Sequence, residues 1–284
     1  MKQLFVILAF IGLSLFCAPK TSAQTIYDQT YTDGIYVENA TGVKAPMPLP
    51  YIREADVMWK KRIWREIDFR QKMNQGFYYP VVSHQNWKSF ITVLLDGMKE
   101  GKITAYEVEP TDELLNPISY NQFMSKQSDT AYRTFRRPYP PYDEYDTMIV
   151  SHFEPTDVMR CRIKEDWYFD KQRSQLMVRI IAICPVKMIE LESGDRVPQP
   201  LFWVPYESAR EALVQAPFYN HNNSAARLSY DEVFLKRMFD SYIFKEENVY
   251  DRNIQEYAKG INALLESERI KHSLIEYEEY LWEY

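Results

Sequence analysis

Two stretches of alternating side chains, separated by five turn-forming residues, constrain this chain more than any other feature. Cys161, Ile163, Trp167 and Phe169 alternate with Arg162, Lys164, Asp166 and Tyr168. Beyond Asp170–Ser174, Leu176, Val178, Ile180 and Ala182 alternate with Met177, Arg179, Ile181 and Ile183. A period of two sends successive side chains to opposite faces of a strand, so the pair reads as an antiparallel hairpin. A hairpin is marginal alone in water and needs further strands or helices against it. Pro200–Val204 reads as another strand, at an edge because proline cannot donate to a ladder. With Gln172 and Arg173 at the centre of the turn, Cys161 lies directly opposite Cys184. Opposed residues have Cα atoms about 4.5–5.5 Å apart, within the range a disulfide accepts. Cys161 and Cys184 are therefore the disulfide candidate.

Helical periodicity flanks the hairpin. Trp59, Ile63, Trp64 and Ile67, with Lys60, Lys61, Arg62 and Arg65 between them, predict a helix over 54–74. Ser83 caps a second over 84–100, whose apolar set is Trp87, Phe90, Ile91, Leu94, Leu95 and Met98, with Gly101 as the stop. Ile103–Val108 reads as a short strand. Pro138–Tyr142 and the acidic Asp143–Asp146 read as a bridge between two lobes. Ser229 and Glu232 form a capping box for a helix carrying Val233, Phe234, Arg237, Met238, Ser241 and Tyr242 on one face. From Asn253, Ile254, Tyr257, Ile261 and Leu264 make one stripe, and Ile270, Leu274, Tyr277 and Leu281 a second, so a long terminal helix is expected to break near Ser267.

The expected fold is α+β: a hairpin-centred antiparallel sheet with flanking helices and a long C-terminal helix. Its division is a signal peptide at 1–23, an extended proline-rich arm at 24–52, an α+β core at 53–252 with two lobes joined near 136–147, and the terminal helix at 253–284. The signal rests on Lys2, the uncharged apolar run Leu4–Phe16 and the small residues of Thr21-Ser22-Ala23. That run is shorter than the roughly 18–20 residues of a membrane span. Phe16 before Cys17 is too bulky for a lipoprotein cleavage site, so the mature chain is expected to start at Gln24 without lipid. In the arm, Pro46, Pro48 and Pro50 favour polyproline II geometry.

The charge balance excludes some partners. The 284 residues carry a formal net charge of −6, and loss of Lys2 and Lys20 makes the exported part more acidic. Nucleic-acid binding needs a basic face, and anionic lipid repels an acidic chain. No stretch beyond the signal is long and apolar enough to insert in a membrane. The four histidines, His84, His152, His221 and His272, fall in no H-x-x-x-H or cysteine-rich context, so no metal or other cofactor is expected. The chain has no G-x-S-x-G elbow, P-loop or G-x-G-x-x-G. The Glu276, Glu278, Glu279 and Glu283 cluster reads as a solvated helix face. These features point to a non-enzymatic, partner-binding protein. Tyr31, Tyr36 and Tyr51 of the arm and Tyr280, Leu281 and Trp282 of the terminal helix are the candidate contacts, since tyrosine and tryptophan suit interfaces. A periplasmic hydrolase with a site assembled from scattered residues, and a peptide- or carbohydrate-binding module, are the alternatives.

Several strings carry a family resemblance. Ile163-Lys164-Glu165-Asp166-Trp167-Tyr168-Phe169-Asp170-Lys171-Gln172-Arg173-Ser174, followed by Val178-Arg179-Ile180-Ile181, resembles the hallmark of the GldN (PorN) family of gliding-motility proteins. Asp56-Val57-Met58-Trp59-Lys60-Lys61-Arg62-Ile63-Trp64-Arg65 and Phe77-Tyr78-Tyr79-Pro80 are similar to its first half. Pro200-Leu201-Phe202-Trp203, Phe234 to Ile243, and Asn248 to Arg252 are similar to its second. The resemblance runs over roughly residues 50–255. It implies a periplasmic part of the type IX secretion system, peripheral to the outer membrane. It further implies assembly into a ring with an outer-membrane lipoprotein of the GldK/PorK type, and contact with the periplasmic part of an inner-membrane protein of the GldM/PorM type. No catalytic residues come with it.

Overall fold

A computed structural model describes residues 45–282, apart from 85–86, 110, 141–142, 152, 191–193, 195, 221–222 and 224–227. The expected signal peptide, the start at Gln24, Cys17, Tyr31 and Tyr36 lie outside the described residues. The fold is α+β, built on an antiparallel sheet. Its central strands are β1 (Val57–Asp68), β6 (Val158–Asp170) and β7 (Gln175–Glu190). The order is β12–β1–β6–β7–β8, where β8 is Arg196–Pro200 and β12 is Tyr242–Glu246, and β9 (Val204–Pro205) also pairs with β7. Three two-stranded pairs lie off this sheet: β2 (Ala105–Tyr106) with β3 (Pro117–Ile118), β4 (Asp129–Arg136) with β5 (Glu144–Ser151), and β10 (Pro217–Phe218) with β11 (Leu228–Ser229). Of residues 136–147, expected to bridge two lobes, Arg136 ends β4 and Glu144–Thr147 begin β5.

The helix expected over 54–74 is strand β1 instead. The apolar set Trp59, Ile63, Ile67 fits both periods, and what decides is the partner strand. One face of β1 presents Arg62, Trp64, Glu66 and Asp68 opposite Asp166, Lys164, Arg162 and Arg160 of β6. Opposite charges directly across an antiparallel pair stabilise it. Arg62 donates to both carboxylate oxygens of Asp166, at 2.7 and 3.0 Å. Arg162 and Arg160 both donate to Glu66, at 2.9 and 2.7 Å. Lys164 Nζ sits over the Trp64 ring. Arg62, one of the charges between the apolar residues of the expected helix, is a rung of this ladder.

The register from the turn runs as expected, Asp170 opposite Gln175 through Glu165 opposite Ile180. A bulge then inserts Ile181, so Lys164 faces Ala182 and the pairing slips by one residue. A slip of one residue exchanges the two faces. Cys161 therefore lies opposite Pro185, and Cys184 opposite Arg162. Cys161 joins Ile163 and Ile183 in the main core, whereas Cys184 packs on the other face with Trp64, Ala182 and Trp203. Direct opposition of the two cysteines, the premise of the disulfide, is not found; both are buried and free in this structure.

The main core covers one sheet face with α1 (Gln75–Tyr78), α2 (Phe90–Lys99), α3 (Tyr120–Gln127), α4 (Tyr206–Gln215) and α5 (Tyr230–Leu235). Phe69, Phe77, Phe90, Phe218, Tyr230 and Phe234 pack as an aromatic knot with centroids 5.3–6.5 Å apart. Helix α2 starts six residues later than expected, at a Ser89 N-cap, and Gly101 follows its end in the left-handed region as a stop requires. Ser229 caps α5 through the Glu232 amide, but the helix ends at Leu235. Arg237, at φ 53, breaks it, and Tyr242 belongs to β12 instead of the helix face. The terminal helix is α7 (Ile261–Trp282), preceded by the single turn α6 (Ile254–Tyr257). The break falls at Gly260 (φ 60) and not at Ser267.

Candidate partner-binding surfaces

Helix α7 is attached through a narrow stripe. Ile270 and Leu274 are buried with Ile63, Ile243 and Ile254, and Tyr277 stacks on Trp59 at 4.5 Å. The serine expected to break the helix joins it to the sheet: buried Ser267 Oγ accepts the Ile243 N–H at 2.9 Å, on the edge strand β12. An edge strand offers unpaired backbone groups, and a covering helix that accepts from them protects it. Between this cluster and the main core stands an ion cluster. Glu165, with 0% exposure, accepts from Arg237 at 2.8 and 3.2 Å and from Trp167 Nε1 at 3.0 Å, and lies 2.7 Å from Arg65 Nε. Burial pushes the Arg65 guanidinium down from its ordinary value, with the Glu165 charge opposing.

The outward side is apolar where the helix begins. The loop before α6 exposes Val249 (98%) and Tyr250 (73%), and Tyr257, Ile261 (75%), Leu264 and Leu265 continue the exposure. The loop part of this surface is fastened by local bonds. Asn248 Oδ1 accepts from the amides of Tyr250 and Arg252 at 3.1 and 3.0 Å, and its Nδ2 donates to the Glu246 and Arg252 carbonyls. The Arg252 guanidinium lies over Tyr250 and Tyr257, at 4.4 and 5.7 Å. Arg269, bonded to Glu266 at 2.6 and 2.8 Å, outweighs slight burial and holds that carboxyl below its usual range. Burial and the Glu266 charge push the Tyr257 hydroxyl up. A groove of about 580 Å³ beside it is lined by Arg160, Tyr242, Phe244, Ile254, Lys259 and Leu264 among others.

Of the candidate contacts, Tyr51 is 80% exposed and Tyr280 is exposed. Leu281 is half-buried and Trp282 closes α7. Val249, Tyr250 and Leu265 escaped the sequence reading. Their available signal was Asn248-Val249-Tyr250-Asp251, an Asn and an Asp framing two large apolar residues, since such residues set turns. A second apolar groove, about 700 Å³, is lined by Met73, Gly76, Tyr79, Phe218, Tyr219 and Met238, with Lys72 and Leu228 at its sides. Of the histidines, His84 and His272 are exposed, and His152 and His221 lie outside the described residues. Among the described residues no group of three His, Cys, Asp or Glu is placed to hold a metal ion, and no helix is long and apolar enough to cross a membrane.

No curated protein matches the chain. The family model for gliding motility associated protein GldN matches residues 52–283, from the end of the arm through α7. That family is one of structural components of gliding motility and type IX secretion, associated with the cell envelope, and not a known enzyme family. Because the match covers well over half of its length, the chain belongs to the GldN family.

Proposed function

We propose that the protein is a non-enzymatic scaffold of the type IX secretion and gliding apparatus, periplasmic and peripheral to the outer membrane. In this reading it assembles with an outer-membrane lipoprotein of the GldK/PorK type into a ring, and contacts the periplasmic part of a GldM/PorM-type protein. The observation that carries the reading is the exposed apolar surface of Val249, Tyr250, Tyr257, Ile261, Leu264 and Leu265. Contiguous exposed apolar residues rimmed by polar ones mark interaction sites, and rigid aromatic anchors add contact area at low entropic cost. Here Lys259, Glu266, Glu268 and Arg269 supply the rim.

The test is co-purification of the lipoprotein with a Leu264→Asp, Leu265→Asp double variant. Both side chains are exposed, so the fold is expected to survive and recovery to fall at least tenfold, the effect of burying two charges at an interface. Full recovery with the variant would move the interface elsewhere. If the intact protein recovers no envelope partner, the scaffold reading fails. A second reading, binding of an apolar peptide segment, is favoured by the Met73–Tyr79–Phe218–Met238 groove and is tested separately by Met238→Glu.

A further inference from the structure

The last residues of the arm, Pro46-Met47-Pro48-Leu49-Pro50, lie on the body, and two arginines hold them by backbone carbonyls. Arg210 Nη2 donates to the Met47 carbonyl at 2.5 Å, and Arg179 Nη2 to the Pro50 carbonyl at 2.6 Å. Each proline fixes its own φ near −65° and restricts the preceding residue to extended geometry. Ala45, Met47 and Leu49 each precede a proline, so the covalent geometry of the stretch favours polyproline II. That helix has three residues per turn, so the carbonyls of residues 47 and 50 point the same way, one turn apart. Pro46, Leu49, Pro50 and Ile52 are half-buried, whereas Met47, Pro48 and Tyr51 are exposed.

The receiving groups are built in advance. Arg210 is 4% exposed and is bonded to Asp231 through Nε at 3.0 Å and Nη2 at 3.2 Å. Asp231 also accepts from the Tyr206 hydroxyl at 2.7 Å. A buried guanidinium fixed by a carboxylate has its remaining donors aimed without further loss of rotamer freedom. Arg179 comes from the part of β7, Gln175–Ile181, whose outer side no described strand pairs. Beyond Pro50 the chain is fastened again, where the Asp56 carbonyl accepts from the Lys171 amide at 2.9 Å and Asp56 Oδ2 from Gln172 Nε2 at 2.8 Å.

From these observations we propose that Arg210 and Arg179 form a latch, a binding site for a polyproline II strand, filled in cis by Pro46–Pro50. Its ligand class is an extended proline-rich peptide read through its carbonyls. The inference stands independently of any envelope partner.

Chymotrypsin cleavage after Tyr51 in the mature chain reads the latch. Two variants release it by opposite routes: Arg179→Met removes a donor, and the triple Pro46→Gly, Pro48→Gly, Pro50→Gly removes the fixed geometry. Each is expected to be cut at Tyr51 at least fivefold faster than the wild type, with circular dichroism unchanged. A labelled peptide Ala-Pro-Met-Pro-Leu-Pro-Tyr-Ile is then expected to bind the triple-glycine variant and not the wild type, whose site is filled. Adding Arg179→Met to the triple variant should abolish that binding. Unchanged cleavage in the triple-glycine variant, which keeps every core residue, would overturn the proposal. So would peptide binding that is indifferent to Arg179.

Discussion

Asp166 shows how the charge ladder makes stability depend on pH. Burial alone would push its carboxyl up, but hydrogen bonds and charge from Arg62 and Lys60 outweigh it and hold the group below the ordinary aspartate value. A carboxyl depressed in the folded state stabilises above its unfolded pKa, and that contribution is lost as pH falls through the folded value. Arg62→Ala is therefore expected to cost about 1–2 kcal/mol near neutral pH, the scale of a charge-assisted bond, and to cost less below about pH 4, where unfolded aspartate protonates. Urea unfolding at pH 7 and pH 3 checks this; a cost independent of pH would show that Asp166 is not the partner that matters. The cysteines give a second residue-scale prediction. Burial pushes both thiols up, Cys184 to about 12, so neither is reactive in the native protein. In a chain starting at Gln24, which lacks Cys17, alkylation in denaturant without reductant should add two groups and native alkylation none. No uptake in denaturant before reduction would mean that a disulfide forms despite the bulge.

At the scale of elements, the edge strand β12 depends on one hydroxyl. Ser267→Ala leaves the buried Ile243 N–H without its acceptor, a loss of about 1–3 kcal/mol set against a few tenths gained in helix propensity. Thermal unfolding should show a net decrease in stability, and an unchanged midpoint would mean that water replaces the serine. The sequence reading treated this residue as a helix break because the apolar stripe shifts register there. The shift marks where the helix turns a polar group to a strand edge, which periodicity does not distinguish from an ending. The β6–β7 hairpin was readable to the residue as far as Glu165, because alternation and a short turn are local. The bulge at Ile181 was not, since it shows only once both sheet faces have their occupants. Strand β1 was misread because its polar positions are paired with β6, more than ninety residues away, and cross-strand charge leaves no local period. The candidate surface was half readable: the helix that bears it was expected, but the loop that extends it with Val249 and Tyr250 depends on how Asn248 folds the chain back.

At the scale of the whole molecule, the hydrophobic interior is divided. Ile63, Ile243, Ile254, Ile270 and Leu274 form a satellite cluster under α7, set off from the main core by buried Arg65 and Glu165 and half-buried Arg237. Hydrophobic contacts give cooperativity where they are continuous, and an ion cluster is held by geometry, not by area. Elements resting on few buried contacts open with less than the global free energy. Helix α7 is therefore expected to exchange its amide hydrogens by a sub-global opening that leaves β1, β6 and β7 protected. Leu274→Ala tests this, because it removes a buried side chain from the satellite cluster alone. It should lower the opening free energy of α7 by about 2–5 kcal/mol, the cost of such a truncation, and change protection in the β6–β7 pair far less. Native-state hydrogen exchange at increasing denaturant separates the two. If α7 and β6 exchange with one common free energy in both proteins, the molecule opens as a single unit. The exposed apolar surface on α7 would then be as rigidly coupled to the sheet as the sheet is to itself.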